Sequence, residues 1–298
     1  MNNRLKGILI TVFAGICWGF SGSCGQFLFD NKGVISNWLV PIRLITAGTS
    51  VLLFLLVVDR KKVFAPWKVK RDAKEMLIFA IAGMALCQYS YFTAIQHSNA
   101  GVATVLQYTG PILILAWLCM KQKRLPRRFE IIALGLVLGG AFLLATHGDL
   151  TTMTLTKPAI FWGVISAVAL AIYSVQPERL LGIYGSLATT GWGMFIGGIV
   201  LNIMFKPWTI TGVTVDGGTI LALFGVIFFG TILAFCMYLT GVKYIGSTDA
   251  AMVSCVEPIA AVLFSAVWLG ESFEFIDIIG MVLIIAGVLI ISLVKDRG

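Results

Sequence analysis

A chain of 298 residues that is 58% hydrophobic and only 12% charged has too few ionic groups to cover a water-soluble surface, because soluble domains run at about 45–50% apolar and about 25% charged. Its net charge of +8 sits in short loops such as "DRKKVFAPWKVKRDAK" and "KQKRLPRRFE", which is the pattern of cytoplasmic loops beside an anionic leaflet and argues against nucleic acid as a partner. Composition therefore predicts an all-α membrane protein with the lipid bilayer as its solvent.

Apolar runs long enough for a hydrocarbon core of about 30 Å recur at 6–28, 37–58, 73–95, 99–120, 129–146, 158–177, 185–205, 218–240, 247–269 and 275–294. The first is too long for a signal peptide and has no clean small-residue cleavage site, so it is read as a retained span. It places Thr11, Gly15, Trp18, Gly22 and Gly25 on one face. Trp18 then stands alone on a glycine-smoothed surface, as a candidate wall for a planar or cationic ligand. In the second span Arg43 lies a few residues inside the outer end, where it either snorkels to the interface or meets a substrate carboxylate or Glu257.

The third span offers Gln88 and Tyr91, and the fourth Gln107 and Tyr108 just before Pro111. Tyr173 occupies the corresponding part of the sixth span, and Trp192 and Tyr238 are weaker candidates. The ninth span, "TDAAMVSCVEPIAAVLFSAVWLG", places Glu257 and Pro258 side by side at its middle. A carboxylate at that depth costs about 2.5–3.5 kcal/mol on insertion scales, and a proline removes a backbone donor and disturbs the preceding turn. At helical spacing Glu257 lies on a stripe of small residues with Ala250, Ser254, Ala261 and Ser265. A carboxylate there must be paired, hydrated or protonated.

Written one above the other, "YFTAIQHSNAGVATVLQYTGPI" and "YLTGVKYIGSTDAAMVSCVEPI" align Pro111 with Pro258 at an offset of 147. The expected domains are two five-helix repeats, 1–147 and 148–298. An odd number of spans per half inserts the repeats in opposite orientations. Loop charge agrees: "KQKRLPRRFE" is basic, whereas the aligned "WLGESFEFID" carries acids only. With Met1 inside, eighteen basic residues fall on inner segments against three on outer ones, which predicts cytoplasmic termini. Helix interruptions at matched repeat positions point to a binding site near the bilayer midplane.

The six cysteines all lie in apolar runs and form no CxxC pair, so they read as small core residues. No Walker loop, HExxH or nucleophile motif is present, and the two histidines lie near span ends. Neither enzyme activity nor a cofactor or metal is expected.

Ten spans in a five-plus-five repeat, "AGICWGFSG", "LVPIRLITAG", "VEPIAAVLFSAVWLGE" and "IIGMVLIIAGVLII" resemble the EamA-type proteins of the drug/metabolite transporter superfamily over essentially the whole chain. The resemblance implies a carrier of the bacterial plasma membrane that takes a small-molecule substrate, commonly an exporter of amino acids or other small metabolites. The inverted halves add the expectation of alternating access, and Glu257 among aromatic residues that of an amino acid or amine. The alternatives are a drug exporter of the same fold, a lipid flippase or a membrane scaffold. A monomer is the expected state, with a dimer as the alternative. One departure is Arg124, where the family places a glutamate after the fourth span; its counterpart Glu271 is present.

Overall fold

The computed structural model describes residues 3–98, 100–146, 156–269 and 274–293. The expected domain boundary at 147, His147, Glu271 and most of the loop after the ninth span lie outside these residues. The described chain is helical throughout: α1 (Asn3–Lys32), α2 (Ser36–Phe64), α3 (Lys70–Ile78), α4 (Leu86–His97), α5 (Ala100–Gln107), α6 (Gly110–Gln122), α7 (Arg128–Thr146), α8 (Lys157–Val175), α9 (Glu178–Phe205), α10 (Gly217–Phe224), α11 (Ala234–Ser254), α12 (Glu257–Leu269) and α13 (Phe275–Leu293).

Among the described residues, eight helical stretches are long and apolar enough to cross a membrane by themselves. The eighth, Gly217–Ser254, holds the expected eighth span and the start of the ninth. The chain reverses between them at Gly246 (φ 80°), a backbone conformation that glycine adopts without steric cost. With α12 completing the ninth crossing and α13 forming the tenth, the bundle has the ten crossings expected. Large apolar side chains such as Leu53, Phe54, Ile203, Leu221 and Val282 are exposed on its outside, as a hydrocarbon solvent requires.

The third and eighth crossings depart from regular α-helix. A π-helical stretch, Phe79–Ala85, joins α3 to α4, and another, Gly225–Leu233, joins α10 to α11. The repeat offset carries Phe79 onto Val226, so the wide turn recurs at the same place in both halves. Such turns are rare and are concentrated at functional sites.

The most extensive helix pairings are α2 with α9, α7 with α13, α1 with α11, and α4 with α8. The first two join the second crossing to the seventh and the fifth to the tenth. The last two exchange with one another when the halves are interchanged. This reciprocal pattern is what a twofold relation between two five-helix repeats produces.

Candidate functional site

The site is built on two helix breaks. A proline ring clashes with the carbonyl four residues earlier and offers that carbonyl no N–H. Four residues before Pro111 is Gln107, where α5 ends, and four before Pro258 is Ser254, where α11 ends. Tyr108–Thr109 and Cys255–Val256 form the intervening turns. The two helices restart at Gly110 and Glu257, so each proline occupies the second position of a new helix, where its missing N–H costs nothing.

These breaks face one another. The Tyr108 hydroxyl, from the first half, donates to Glu257 Oε2 in the second at 3.2 Å. Helix α1 packs against the broken turn through glycines. A Cβ at Gly15 would lie 2.9 Å from the Ser254 carbonyl oxygen, and one at Gly19 would lie 2.6 Å from that of Glu257. Only glycine lets the backbones approach this closely.

Beside the breaks is a cavity of about 470 Å³, within the usual size of a small-molecule site. It opens where α1 connects to α2, past Asp30, Val34, Ile35 and Ser36, and reaches inward to Trp18, Tyr173, Ser254 and Glu257. Of the residues singled out in the sequence, Trp18, Gln88, Tyr91, Gln107, Tyr108, Tyr173, Ser254 and Glu257 line it together with Arg43. Tyr91 Oη and Thr104 Oγ1 share a 2.8 Å hydrogen bond across α4 and α5.

Two candidates stand elsewhere. Tyr238 is 1% exposed and lies behind the wall, stacked on Tyr173 at 5.7 Å and hydrogen-bonded through its hydroxyl to Ser174 at 2.7 Å. Trp192 packs edge-on against Trp67 and donates from Nε1 to the Val63 carbonyl at 2.7 Å. Tyr238 has the depth of the cavity but faces away from it, whereas Trp192 stands against the loop that follows α2.

Arg43 does not snorkel. It is 2% exposed, its guanidinium lies over the Phe92 ring at 4.8 Å, and its Nε donates to Thr231 Oγ1 at 3.0 Å. Thr231 is held by its own donation to the Val226 carbonyl five residues back, at 2.8 Å, so the π turn positions the hydroxyl that holds the arginine.

Several lining residues escaped sequence reading. Phe235 is hidden in an apolar run, and Phe92 carries no polar group to single it out among the mixed residues around it. Gln26 and Gln96 carried a usable signal, being amides near span ends; the Ser36 hydroxyl donates to Gln96 Oε1 at 2.6 Å at the cavity mouth. Also near that end, Lys32 donates to Asp216 at 2.6 Å. The Lys32 ammonium and then the Thr219 N–H and hydroxyl hold the Asp216 carboxyl at about 2, below the usual carboxylate range. Toward the opposite end of the bundle Arg179 bridges Asp72 and Glu75, while Tyr184 donates to Asp72. Among the described residues no cluster of three or more His, Cys, Asp or Glu is placed to hold a metal.

Two helical repeats with paired helix breaks beside a shared cavity fit a membrane transport protein. The chain belongs to the EamA-like transporter family, whose model matches residues 5–146 and 157–293. It is 38% identical over 297 residues to a Salmonella typhimurium protein named as the uncharacterized inner membrane transporter YicL, covering 100% of this chain and 98% of the relative. It is 23% identical to the uncharacterized transporter YwfM of Bacillus subtilis, over 97% of this chain and 95% of that one. A crystal structure of a protein 18% identical superimposes with a TM-score of 0.78, covering 96% of each chain, which speaks for the fold alone. The protein is a multi-pass inner-membrane transporter of a small molecule and not an enzyme.

Proposed function

We propose that the protein is a secondary carrier that exports a small metabolite, an amino acid or an amine, by alternating access. The observation that carries this reading is the Tyr108–Glu257 hydrogen bond, which joins the broken helix of one repeat to that of the other at the inner end of the cavity. A ligand that competes for the carboxylate loosens the link between the halves. Ligand occupancy is thereby coupled to their relative position.

With both termini cytoplasmic and the repeats inverted, the cavity opens outward. The Arg179 bridge to Asp72 and Glu75 and the Arg4–Asp249 pair then lie on the inner side, where they tie helices together across from the cavity mouth. Glu257 exchanges a proton for a substrate amine, and the aromatic walls favour an amino acid or amine over a sugar. The cavity is completed within one chain, so a monomer suffices. Purified protein in liposomes preloaded with amino acids, amines, sugars or carboxylates tests the reading by counterflow of labelled solute. Saturable counterflow confined to amino acids or amines is expected; counterflow of sugars alone, or none in any arm, would overturn it.

A further inference from the structure

The cavity wall carries an unusual set of unsatisfied polar atoms. Among the described residues, Trp18 Nε1, Arg43 Nη1, Gln88 Nε2 and Tyr173 Oη are buried without a hydrogen-bond partner, and all four residues line this cavity. Native structures leave few such groups, and each calls for an explanation. Three are nitrogens that only donate, and the tyrosine hydroxyl can donate as well. What completes them must accept hydrogen bonds.

Arg43 narrows the choice. A buried guanidinium is costly unless an anion meets it, and among the described residues Arg43 forms no ion pair. Its protein partners are a neutral hydroxyl, Thr231, and an aromatic face, Phe92. Glu257 lines the same cavity without pairing with it, although both charges reach Cys87 and Tyr91 electrostatically. Asp30, the remaining charged side chain of the lining, is exposed at the mouth. A single cation suits a monoanion better than a phosphate dianion. A carboxylate facing it across the cavity suits a ligand that also carries an amine.

We propose that Arg43 is the specificity-determining residue of the cavity: it receives the carboxylate of the transported solute, so that an amine lacking a carboxylate is not carried. Trp18 and Gln88 supply further donors, and Thr231 is a positioning residue that aims the guanidinium from the π turn. The inference rests on the cavity being the transport site and chooses, within the proposed substrates, amino acids over simple amines.

The test uses full-length protein in detergent and in liposomes. The probes are leucine and phenylalanine, and for each its amide, its decarboxylated amine and its deaminated acid. A lost charge-assisted contact is worth about tenfold or more in affinity. Wild type should therefore bind amide and amine at least about tenfold more weakly than the amino acid, with the deaminated acid still bound. Arg43→Gln should reduce the preference for acid over amide to about threefold or less, and Thr231→Val should reduce it part-way. Equal wild-type affinity for amino acid, amide and amine overturns the assignment while leaving the transport reading intact. This arm decides even if Arg43→Gln does not fold. A folded Arg43→Gln protein that keeps the full preference overturns it too, as does strict chloride dependence of amide binding, which would make the anion inorganic. Binding and counterflow of none of the probes would sink the transport reading for this solute class along with it.

Discussion

Gly19 and Gly22 lie one turn apart on α1, and the same substitution should act on them in opposite ways. A Cβ at Gly19 would stand 2.6 Å from the Glu257 carbonyl oxygen, 2.7 Å from Ala260 Cβ and 2.7 Å from the Ala261 nitrogen. Two of these atoms are backbone, so no side chain can swing aside; α1 and α12 must separate. Overpacking of this kind costs about 1–3 kcal/mol, of which the better helix propensity of alanine returns up to about 1 kcal/mol. At Gly22 a Cβ meets nothing within 4 Å, because the residue faces the cavity. Gly22→Ala keeps the propensity gain and only narrows the cavity. Thermal unfolding of the purified variants in detergent, beside counterflow in liposomes, reads both effects. Gly19→Ala should unfold several degrees lower and weaken transport through displacement of Glu257. Gly22→Ala should unfold at or above the wild-type temperature, with its effect confined to large substrates. A Gly19→Ala protein as stable and active as wild type would refute the close approach of α1 to the broken turn.

Trp18 contacts Phe235 at 5.0 Å and Tyr238 at 5.2 Å yet lines the cavity, so Trp18→Phe should keep most stability and weaken substrate affinity; unchanged affinity beside a lowered Tm would make it packing only. Single cysteines in loops 121–128 and 269–274, on a cysteine-free background, should label from opposite sides of the membrane, the first from the cytoplasm; labelling from one side would defeat the inverted arrangement. The Asp216 carboxyl is held at about 2, below its unfolded value of about 3.9, so its tie to Lys32 contributes fully above about pH 4 and is lost as pH falls toward 2. The Tm difference between wild type and Asp216→Asn should accordingly be flat from pH 5 to 8 and shrink below 4; a difference that changes across pH 6–8 would contradict this.

The ten crossings were legible because bilayer thickness dictates run length, and the breaks because a proline's steric demand reaches back four residues. Most of the cavity was legible for a related reason: a polar side chain at mid-membrane depth has few places to go other than a cavity. Facing was less legible. Tyr238 has the depth of a cavity residue, but helix rotation is set by packing partners that one sequence does not reveal, and Trp192 packs against Trp67 in the loop after α2. For Arg43 the sequence left snorkelling and an inward role both open, and the partner it meets inside, Thr231, is 188 positions away. The π turns left no signal of their own, since "FAIAGMA" and "GVIFFGTIL" are as compatible with regular helix.

We propose that the paired helix breaks form the working centre of the carrier and that Glu257 carries the exchangeable charge. Glu257→Gln preserves shape and can still accept from Tyr108, but it cannot ionise. Counterflow and proton-gradient-driven transport of a labelled amino acid, measured for wild type and Glu257→Gln in liposomes from pH 5.5 to 8.5, tests the claim most directly. A folded variant whose transport is lost or no longer depends on pH is expected. A variant with the rate, affinity and pH profile of wild type would contradict it and leave Glu257 a structural residue.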